Sequence, residues 1–396
     1  MVEHLHISKS GGTSFSAAAR LSNCRKDAGL GQPTYLGDFP HWLNRTAMSG
    51  YTQGAETMWS LWGKPRRDTD VQTCEERLEA ISSRGLQYVS NEYTLHGGLG
   101  GMHAAHVCAQ LVNVVTLRNP DKRLVSHMHF MLAFLSSAAR RKNRPRDLFN
   151  RVFCSNNLTI WRDVAPPVID NFNVRSFLGE AGFHTPLGTL GSEHVGLARQ
   201  QLLTFDLVMD LDAGSEATEV IMRQGLGWSA TVADVQTRTS HDVSKKMNFS
   251  VDAEGCRNEK LLAEVLPLQE PDRQLYRTGR VVSFLDRLLM SAARSLGLHP
   301  HPTVDTSAEE ARRLLDAKRH PCGLLSFAPR APPLPEPAAG RGVRKASTIV
   351  DGAGVEGDAG GRVMDFRENE AEEEMGEEME RRRRKVSCAA RQVPVC

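Results

Sequence analysis

A short glycine-rich stretch near the start of the chain carries residue types that bind phosphate. Residues 6–15 read His-Ile-Ser-Lys-Ser-Gly-Gly-Thr-Ser-Phe, so a strand-like segment enters two glycines and a helix-like segment follows. Glycines let backbone N–H groups face a ligand, and a helix N-terminus favours an anion. A plain turn with a helix cap and a solvated lysine would have the same composition. The candidate phosphate-binding residues are Lys9, Ser10, Gly11, Gly12, Thr13 and Ser14.

The position of the lysine separates this loop from the Walker A loop of ATP-hydrolysing enzymes. Walker A places its lysine after the glycines, whereas Lys9 precedes them. Those enzymes also hold Mg²⁺ through a carboxylate that follows a buried strand. Here the apolar, β-branched run at residues 111–117 ends in Arg118, a cation that would repel magnesium and attract a second phosphate. The pattern therefore predicts an anionic nucleotide that binds without a metal ion.

Residues 118–126 supply the second phosphate site. Arg118 offers a planar fork of donors, and Ser126, two turns into the following helix, offers a hydroxyl to the same phosphate. Taken alone, this stretch is also typical of a capped helix with surface charges. The two motifs together carry far more information than either one alone.

In combination, the two motifs resemble those of the carbohydrate sulfotransferases that use 3′-phosphoadenosine-5′-phosphosulfate (PAPS), such as the heparan sulfate 2-O- and 6-O- and the galactose 3-O-sulfotransferases. The first motif of that family reads roughly H-x-x-K-T-G-G-T-S, and this chain departs from it only at Ser10. In the second motif Asn119 stands where aspartate is usual. Weaker similarities extend the match to about residue 295, at residues 156–159, 202–228 and 272–289.

The resemblance implies a metal-independent transfer of a sulfuryl group from PAPS to a hydroxyl of a glycan. The first loop would bind the 5′-phosphosulfate, while Arg118 and Ser126 would bind the 3′-phosphate. Lys9 would neutralise charge that develops on the leaving phosphate. In-line displacement also needs a base for the acceptor hydroxyl.

The candidate bases lie between the second strand-like segment and Arg118. His96 is the first candidate, because its ordinary pKa lets it accept a proton near pH 7 and its distance ahead of Arg118 resembles that of the catalytic histidine in the 2-O-sulfotransferases. Glu92 is the alternative, since other members of the family use glutamate. His103 and His106 lie close by and stay open as candidates.

Two basic clusters could bind an acidic glycan, although each could equally be a solvated surface. The first surrounds two tryptophans that could stack on sugar rings, and the second is the run at residues 140–144. The members of the first cluster are Trp59, Trp62, Lys64, Arg66 and Arg67.

The elements that position these residues alternate between strand and helix. Strands are predicted at residues 2–7, 86–93, 111–117 and 205–211, and helices at 121–139, 215–224 and from Pro271 to near Gly297. This order predicts an α/β fold with a P-loop-NTPase-like central parallel β-sheet flanked by helices, whose ligands bind at the carboxyl ends of the strands.

Composition divides the chain into a sulfotransferase-like domain at residues 1–300 and a mostly disordered, low-complexity tail at 301–396. The tail holds one short predicted helix at 307–318, an acidic block at 368–380 and a basic run at 381–385. The formal net charge of +2 excludes a globally basic nucleic-acid binder. The eight cysteines form no C-x-x-C pair, which indicates neither a zinc site nor a redox motif and leaves disulfides undecided.

The cellular compartment is inferred only from the resemblance to the carbohydrate sulfotransferases. The family implies a glycoprotein of the Golgi lumen, usually carried on an N-terminal membrane anchor, and sequons occur at Asn44, Asn157 and Asn248. The chain shows no apolar run of about 18 residues and no signal peptide. There are two interpretations: either the given sequence lacks the start of the protein, or the enzyme is cytosolic.

Two other functions compete with the sulfotransferase. A P-loop nucleotide kinase would require magnesium and ATP. A non-catalytic glycan-binding protein with a degenerate nucleotide site would bind PAPS without turnover.

Overall fold

The computed structural model describes residues 1–22, 24, 44–51, 73–83, 85–92, 94–141, 146–235, 245 and 247–295. All of them belong to one compact unit, which spans Met1–Ala28 and Gln32–Leu325. The predicted helix at 307–318, the tail and the tryptophan-containing basic cluster at 59–67 lie outside these ranges. Residues 140 and 141 end a helix, and the rest of the 140–144 run is also outside.

The centre of the fold is a parallel sheet of four strands in the order β2-β1-β3-β4. The strands are β1 (Val2–Leu5), β2 (Tyr88–Asn91), β3 (Val112–Leu117) and β4 (Leu207–Asp210), and all of their residues are buried. Strands covered on both faces explain the apolar runs in the sequence. The predicted α/β class and the four parallel strands are confirmed. Each strand is one to four residues shorter than predicted.

Thirteen α-helices surround this sheet in the described residues. The helix predicted at 121–139 begins one residue earlier, at a proline whose missing N–H suits a first helical turn. The helix predicted at 215–224 becomes a π-helical turn in its second half, Ile221–Gly225. The helices are α1 (Gly12–Leu21), α2 (Arg45–Tyr51), α3 (Cys74–Ser83), α4 (Pro120–Arg141), α5 (Arg146–Phe153), α6 (Leu158–Val164), α7 (Pro166–Ile169), α8 (Phe172–Phe177), α9 (Gly179–Phe183), α10 (Ser192–Leu202), α11 (Ser215–Val220), α12 (Glu259–Val265) and α13 (Glu270–Ser295).

Helix α13 is tied to the sheet and to its neighbours through buried polar groups. At its start, the buried Asp272 carboxylate accepts hydrogen bonds from the N–H groups of Asn173 (3.1 Å) and Val174 (2.8 Å) in α8. Further along, Asp286 accepts one from the N–H of Val208 in β4 at 2.8 Å. Burial raises the pKa of both carboxyl groups to about 6. These bonds fix α13 against the strand that ends beside the candidate site.

Two disulfide bonds lie within the described residues. One joins Cys74 to Cys108 and the other joins Cys154 to Cys256, across 34 and 102 residues of sequence. Cys24 is buried and belongs to neither disulfide. Among the described helices, none is long and apolar enough to span a lipid bilayer.

Candidate functional site

The candidate site lies at the carboxyl edge of the sheet. Leu5 pairs with Asn91 and with Val115, so the ends of β1, β2 and β3 stand at similar heights, and β4 ends opposite Leu117. The segments that follow all four strands therefore meet at one edge, which is where open parallel sheets bind ligands.

The loop after β1 packs so tightly that both of its glycines are required. A Cβ atom on Gly11 would lie 2.5 Å from Cδ1 of Leu211, and Gly11 has a positive φ of 80°. A Cβ atom on Gly12 would lie 1.8 Å from Cδ2 of His6. Gly11 is also the N-cap of α1 and brings no side chain to satisfy the first N–H groups of that helix. The loop thus presents backbone donors at a helix N-terminus.

The hydroxyl of Ser10 is a buried polar group at this loop that a bound anion could satisfy. Ser10 is 1% exposed, and its Oγ has no hydrogen-bond partner among the described residues. Buried hydroxyls are ordinarily satisfied. Thr13 and Ser14 are half-buried at the start of α1. A buried hydroxyl donor, a helix N-terminus without a side-chain cap and a nearby lysine fit an anionic group such as a phosphosulfate.

Lys9 and Arg118 come together although 109 residues separate them. Nη1 of Arg118 donates a hydrogen bond to the main-chain carbonyl of Lys9 at 3.2 Å. Lys9 itself has a φ of 68°, which is uncommon for a residue with a Cβ atom. Its Nζ lies 4.4 Å from the ring centroid of Phe130 in α4.

Ser126 lies on the same helix face as Phe130. The two residues are four positions apart in α4, so they occupy one face, and Ser126 is half-buried. The ammonium of Lys9 therefore lies over the face of α4 that carries Ser126. The buried His127 beside it has its pKa lowered well below the ordinary value by burial and by the charges of Arg123 and Lys9.

Asp212, which sequence reasoning missed, joins the segments that follow β3 and β4. Its carboxylate accepts hydrogen bonds from the N–H of Asn119 and from Nζ of Lys122, each at 2.7 Å. Burial acts to raise the pKa of Asp212, but Lys122, the Asn119 N–H and Arg118 together lower it below its ordinary value. The signal in the sequence was an aspartate just beyond a predicted strand.

Glu92 lies against the glycine loop. Its Oε1 accepts a hydrogen bond from Oγ of Ser8 at 3.2 Å and lies 3.7 Å from Nε2 of His6. The Glu92 side chain is 22% exposed, so it is partly accessible to solvent. Of the two leading candidates for the base, Glu92 is the one whose described contacts are with the loop.

The described contacts of His96 are with Glu3 in β1 and with Asn91, the last residue of β2. Its Nε2 lies 3.1 Å from Nδ2 of Asn91 and 3.4 Å from Oε1 of Glu3, and the side chain is 2% exposed. Its carbonyl accepts the N–H of His106, forming an isolated bridge between the two segments. His103 is exposed on a 3₁₀ turn (Met102–Ala104). The structure therefore brings together the loop, Arg118 and Glu92, and it places His96 with Glu3 and Asn91.

One group of metal-ligand types occurs away from this edge in the described residues. Cys74, His106 and Cys108 have ligand atoms within 4.8 Å of one another. Because Cys74 and Cys108 form a disulfide, their sulfurs are not available as thiolate ligands.

Helix α13 adds two side chains to the edge. Oη of Tyr276 donates to Oδ1 of Asp210 at 2.8 Å, and Nε of Arg280 lies 3.7 Å from Oδ2 of the same carboxylate. Burial and the neighbouring Asp210 raise the pKa of Tyr276 above its ordinary value.

No protein-family model, curated protein or solved structure matches this chain. The function of the site at the carboxyl edge of the sheet must therefore be inferred from the geometry and chemistry of that site. The features that matter are the glycine loop with the buried Ser10 hydroxyl, and the contact between Lys9 and Arg118.

Proposed function

We propose that this chain is a PAPS-dependent O-sulfotransferase that acts on a carbohydrate hydroxyl, with a sheet of the P-loop-NTPase type. The observation that carries the proposal is the hydrogen bond from Arg118 to the carbonyl of Lys9. It joins the two cationic motifs at one edge, as a nucleotide with phosphates at two positions requires. The loop after the interior strand β1 supports the P-loop-like arrangement of the sheet.

In this proposal the donor is held by two groups of residues. Backbone N–H groups at Gly11 and Gly12, with the hydroxyls of Ser10, Thr13 and Ser14, bind the 5′-phosphosulfate. Arg118 and Ser126 bind the 3′-phosphate. The buried Ser10 hydroxyl and the close packing of both glycines support the first assignment. The position of Lys9 over the α4 face that carries Ser126 supports the second.

The reaction is an in-line displacement at sulfur. The acceptor oxygen forms a bond to sulfur as the bond between sulfur and the bridging phosphate oxygen breaks, and adenosine 3′,5′-bisphosphate leaves. Lys9 stabilises the negative charge that builds up on the leaving phosphate. A base takes the proton of the acceptor hydroxyl.

We assign the base to Glu92 on the strength of its contact with Ser8 and its partial exposure. His96 stays the second candidate. Its contacts with Glu3 and Asn91 favour a supporting role in the present conformation.

We propose the secretory pathway, and the Golgi lumen in particular, as the compartment. Disulfides persist in oxidising compartments and are rare in the cytosol. The two disulfides therefore support a lumenal protein. Two of the three sequons, Asn157 and Asn248, are exposed and accessible to glycosylation.

A P-loop kinase is the main rival, and Asp212 is the observation in its favour. This aspartate follows a buried strand, as a magnesium ligand would. Its two oxygens are already bonded to Lys122 and to the N–H of Asn119, which disfavours metal binding. A kinase would be stabilised by ATP with magnesium, whereas the proposed enzyme would be stabilised by adenosine 3′,5′-bisphosphate in the presence of EDTA.

Transfer of labelled sulfate from PAPS to a panel of glycans tests the proposal. We expect transfer by the wild type, and loss of transfer in Lys9→Ala with the exposed Lys260→Ala as the matched control. Stabilisation by the bisphosphate without transfer to any acceptor would favour the non-catalytic binding protein. Absence of both binding and transfer would refute the proposal.

A further inference from the structure

The last helix of the described structure, α13, is apolar on two sides. One side packs into the core through residues that include Leu275, Tyr276 and Met290. The other side is open to solvent over its second half. The exposed members are Val281 (59%), Phe284 (48%), Leu285 (55%), Leu288 (52%) and Leu289 (49%), which we call the α13 stripe.

The α13 stripe has the spacing of a helix–helix contact. Its members follow one another at i, i+3, i+4, i+7 and i+8, so they form one continuous band on the helix surface. Five half-exposed side chains of this size form a patch on the order of 400 Å². A helix that is apolar on both sides is normally covered on both sides.

We propose that residues 307–318 of the same chain form a short helix that packs on the α13 stripe. This segment reads Ser-Ala-Glu-Glu-Ala-Arg-Arg-Leu-Leu-Asp-Ala-Lys. Thr306 and Glu309 have the spacing of a capping box, which fixes the start of a helix. The apolar face of that helix consists of Ala308, Ala311, Leu314 and Leu315.

The connection is long enough for the segment to fold back. After Ser295 the chain contains Gly297, Pro300 and Pro302, which end a helix and favour a reversal. The centre of the stripe lies ten residues, or about 15 Å, before the end of α13. The eleven residues 296–306 can span up to about 36 Å.

A second copy of the chain fits the stripe less well. A stable interface buries about 800 Å² per partner, roughly twice the area of this patch. Arg280, Arg287 and Arg294 lie at intervals of seven along one side of the stripe, and the Arg287 guanidinium lies 5.5 Å from the Phe284 ring centroid. An antiparallel pair of copies would set this row of arginines against itself. A tethered segment avoids both problems, since its effective concentration is high.

Hydrogen exchange of the full-length chain tests the contact. In the wild type we expect the amides of 308–316 to exchange at least about tenfold more slowly than those of 326–340. The double variant Leu285→Asp with Leu288→Asp should abolish that difference. Arg294→Asp, which places a carboxylate on an exposed position of the same helix outside the stripe, should leave it unchanged.

A second pair of variants separates loss of the contact from destabilisation of the domain by the stripe substitutions. Leu314→Asp with Leu315→Asp alters only the tail segment and should speed exchange both in 308–316 and in the backbone of 285–292, while Arg313→Asp on its opposite face should not. Equal exchange in 308–316 and 326–340 of the wild type would overturn the proposal. So would a wild-type dimer, detected by light scattering, that the stripe variants convert to a monomer.

Discussion

The guanidinium of Arg118 donates a hydrogen bond to the main-chain carbonyl of Lys9, at 3.2 Å. Arg118 follows β3, and Lys9 stands in the loop after β1 with a φ of 68°. A non-glycine residue in this conformation is held there by its surroundings, at a strain of roughly 1–3 kcal/mol. The side chain of the second motif therefore stabilises the backbone of the first, and the two are one structural unit.

Replacement of Arg118 should impair nucleotide binding in two ways. Arg118→Ala removes a charged donor and also frees the Lys9 carbonyl, so we expect the dissociation constant of adenosine 3′,5′-bisphosphate to rise by about 10–100-fold. Arg118→Lys should recover only part of this loss, because lysine lacks the planar fork. Isothermal titration calorimetry measures the change. The exposed Arg151→Ala in α5 is the control, and an unchanged affinity in Arg118→Ala would remove this residue from the site.

Gly12 should not tolerate even one methyl group. The Cβ of Gly12→Ala would lie 1.8 Å from the His6 ring, so the ring or the loop must move. We expect the free energy of unfolding to fall by about 1–3 kcal/mol, together with loss of nucleotide binding. Gly196→Ala is a matched control in α10, because its Cβ would meet no atom within 4 Å. That variant should gain about 0.5–1 kcal/mol. Urea unfolding compares the two, and equal stabilities would contradict the packing of His6 on Gly12.

Glu92 and His96 can be separated by conservative variants. Glu92→Gln keeps the shape of the side chain but cannot accept the proton, so we expect kcat to fall by about 10²–10⁴-fold with unchanged affinity for the bisphosphate. Glu193→Gln, an exposed change in α10, is the control. His96→Asn should lower stability more than turnover by the folded protein, because His96 is buried against Glu3. Full activity of Glu92→Gln, with loss of activity in folded His96→Asn, would transfer the role of base to His96.

Asp286 should make stability depend on pH. Burial raises its pKa to about 6 from an ordinary value of 3.8, so the folded protein binds this proton more tightly than the unfolded chain. The stabilisation is complete below about pH 4 and is lost as pH rises through 6, on the order of 3 kcal/mol in total. Asp286→Asn can still accept the Val208 N–H and should lose this share of the pH dependence, while Asp272, whose pKa burial also raises to about 6, keeps its own share. Urea unfolding at pH 4.5 and 7.5 compares the two proteins, and parallel pH profiles would exclude Asp286 as the source.

The sheet and the glycine loop were predictable because their signals are local. A β-branched run of residues indicates a buried parallel strand at β3, and two adjacent glycines before an alanine-rich segment indicate a tight turn into α1. Both inferences need only the residues of the element itself.

Contacts between residues that are far apart in the chain could not be predicted from the sequence. The spacing of the cysteines holds no information about which of them pair, and Asp212 has a role only because β4 lies next to β3 in the sheet. The surroundings of His96 depend on how the chain reverses through two short 3₁₀ turns after β2, and these have no periodic pattern.

The arrangement of the edge has a consequence for how the protein matures on the ribosome. Each strand is followed by a residue that bonds to the segment after another strand. Ser8 bonds to Glu92, Arg118 to the carbonyl of Lys9, and Asp212 to the N–H of Asn119. A nascent chain that has emerged only through β3 still lacks Leu211, against which Gly11 packs. We therefore expect the nascent chain to gain the ability to bind the donor in one step, late in synthesis. This ability should not increase gradually as the chain lengthens.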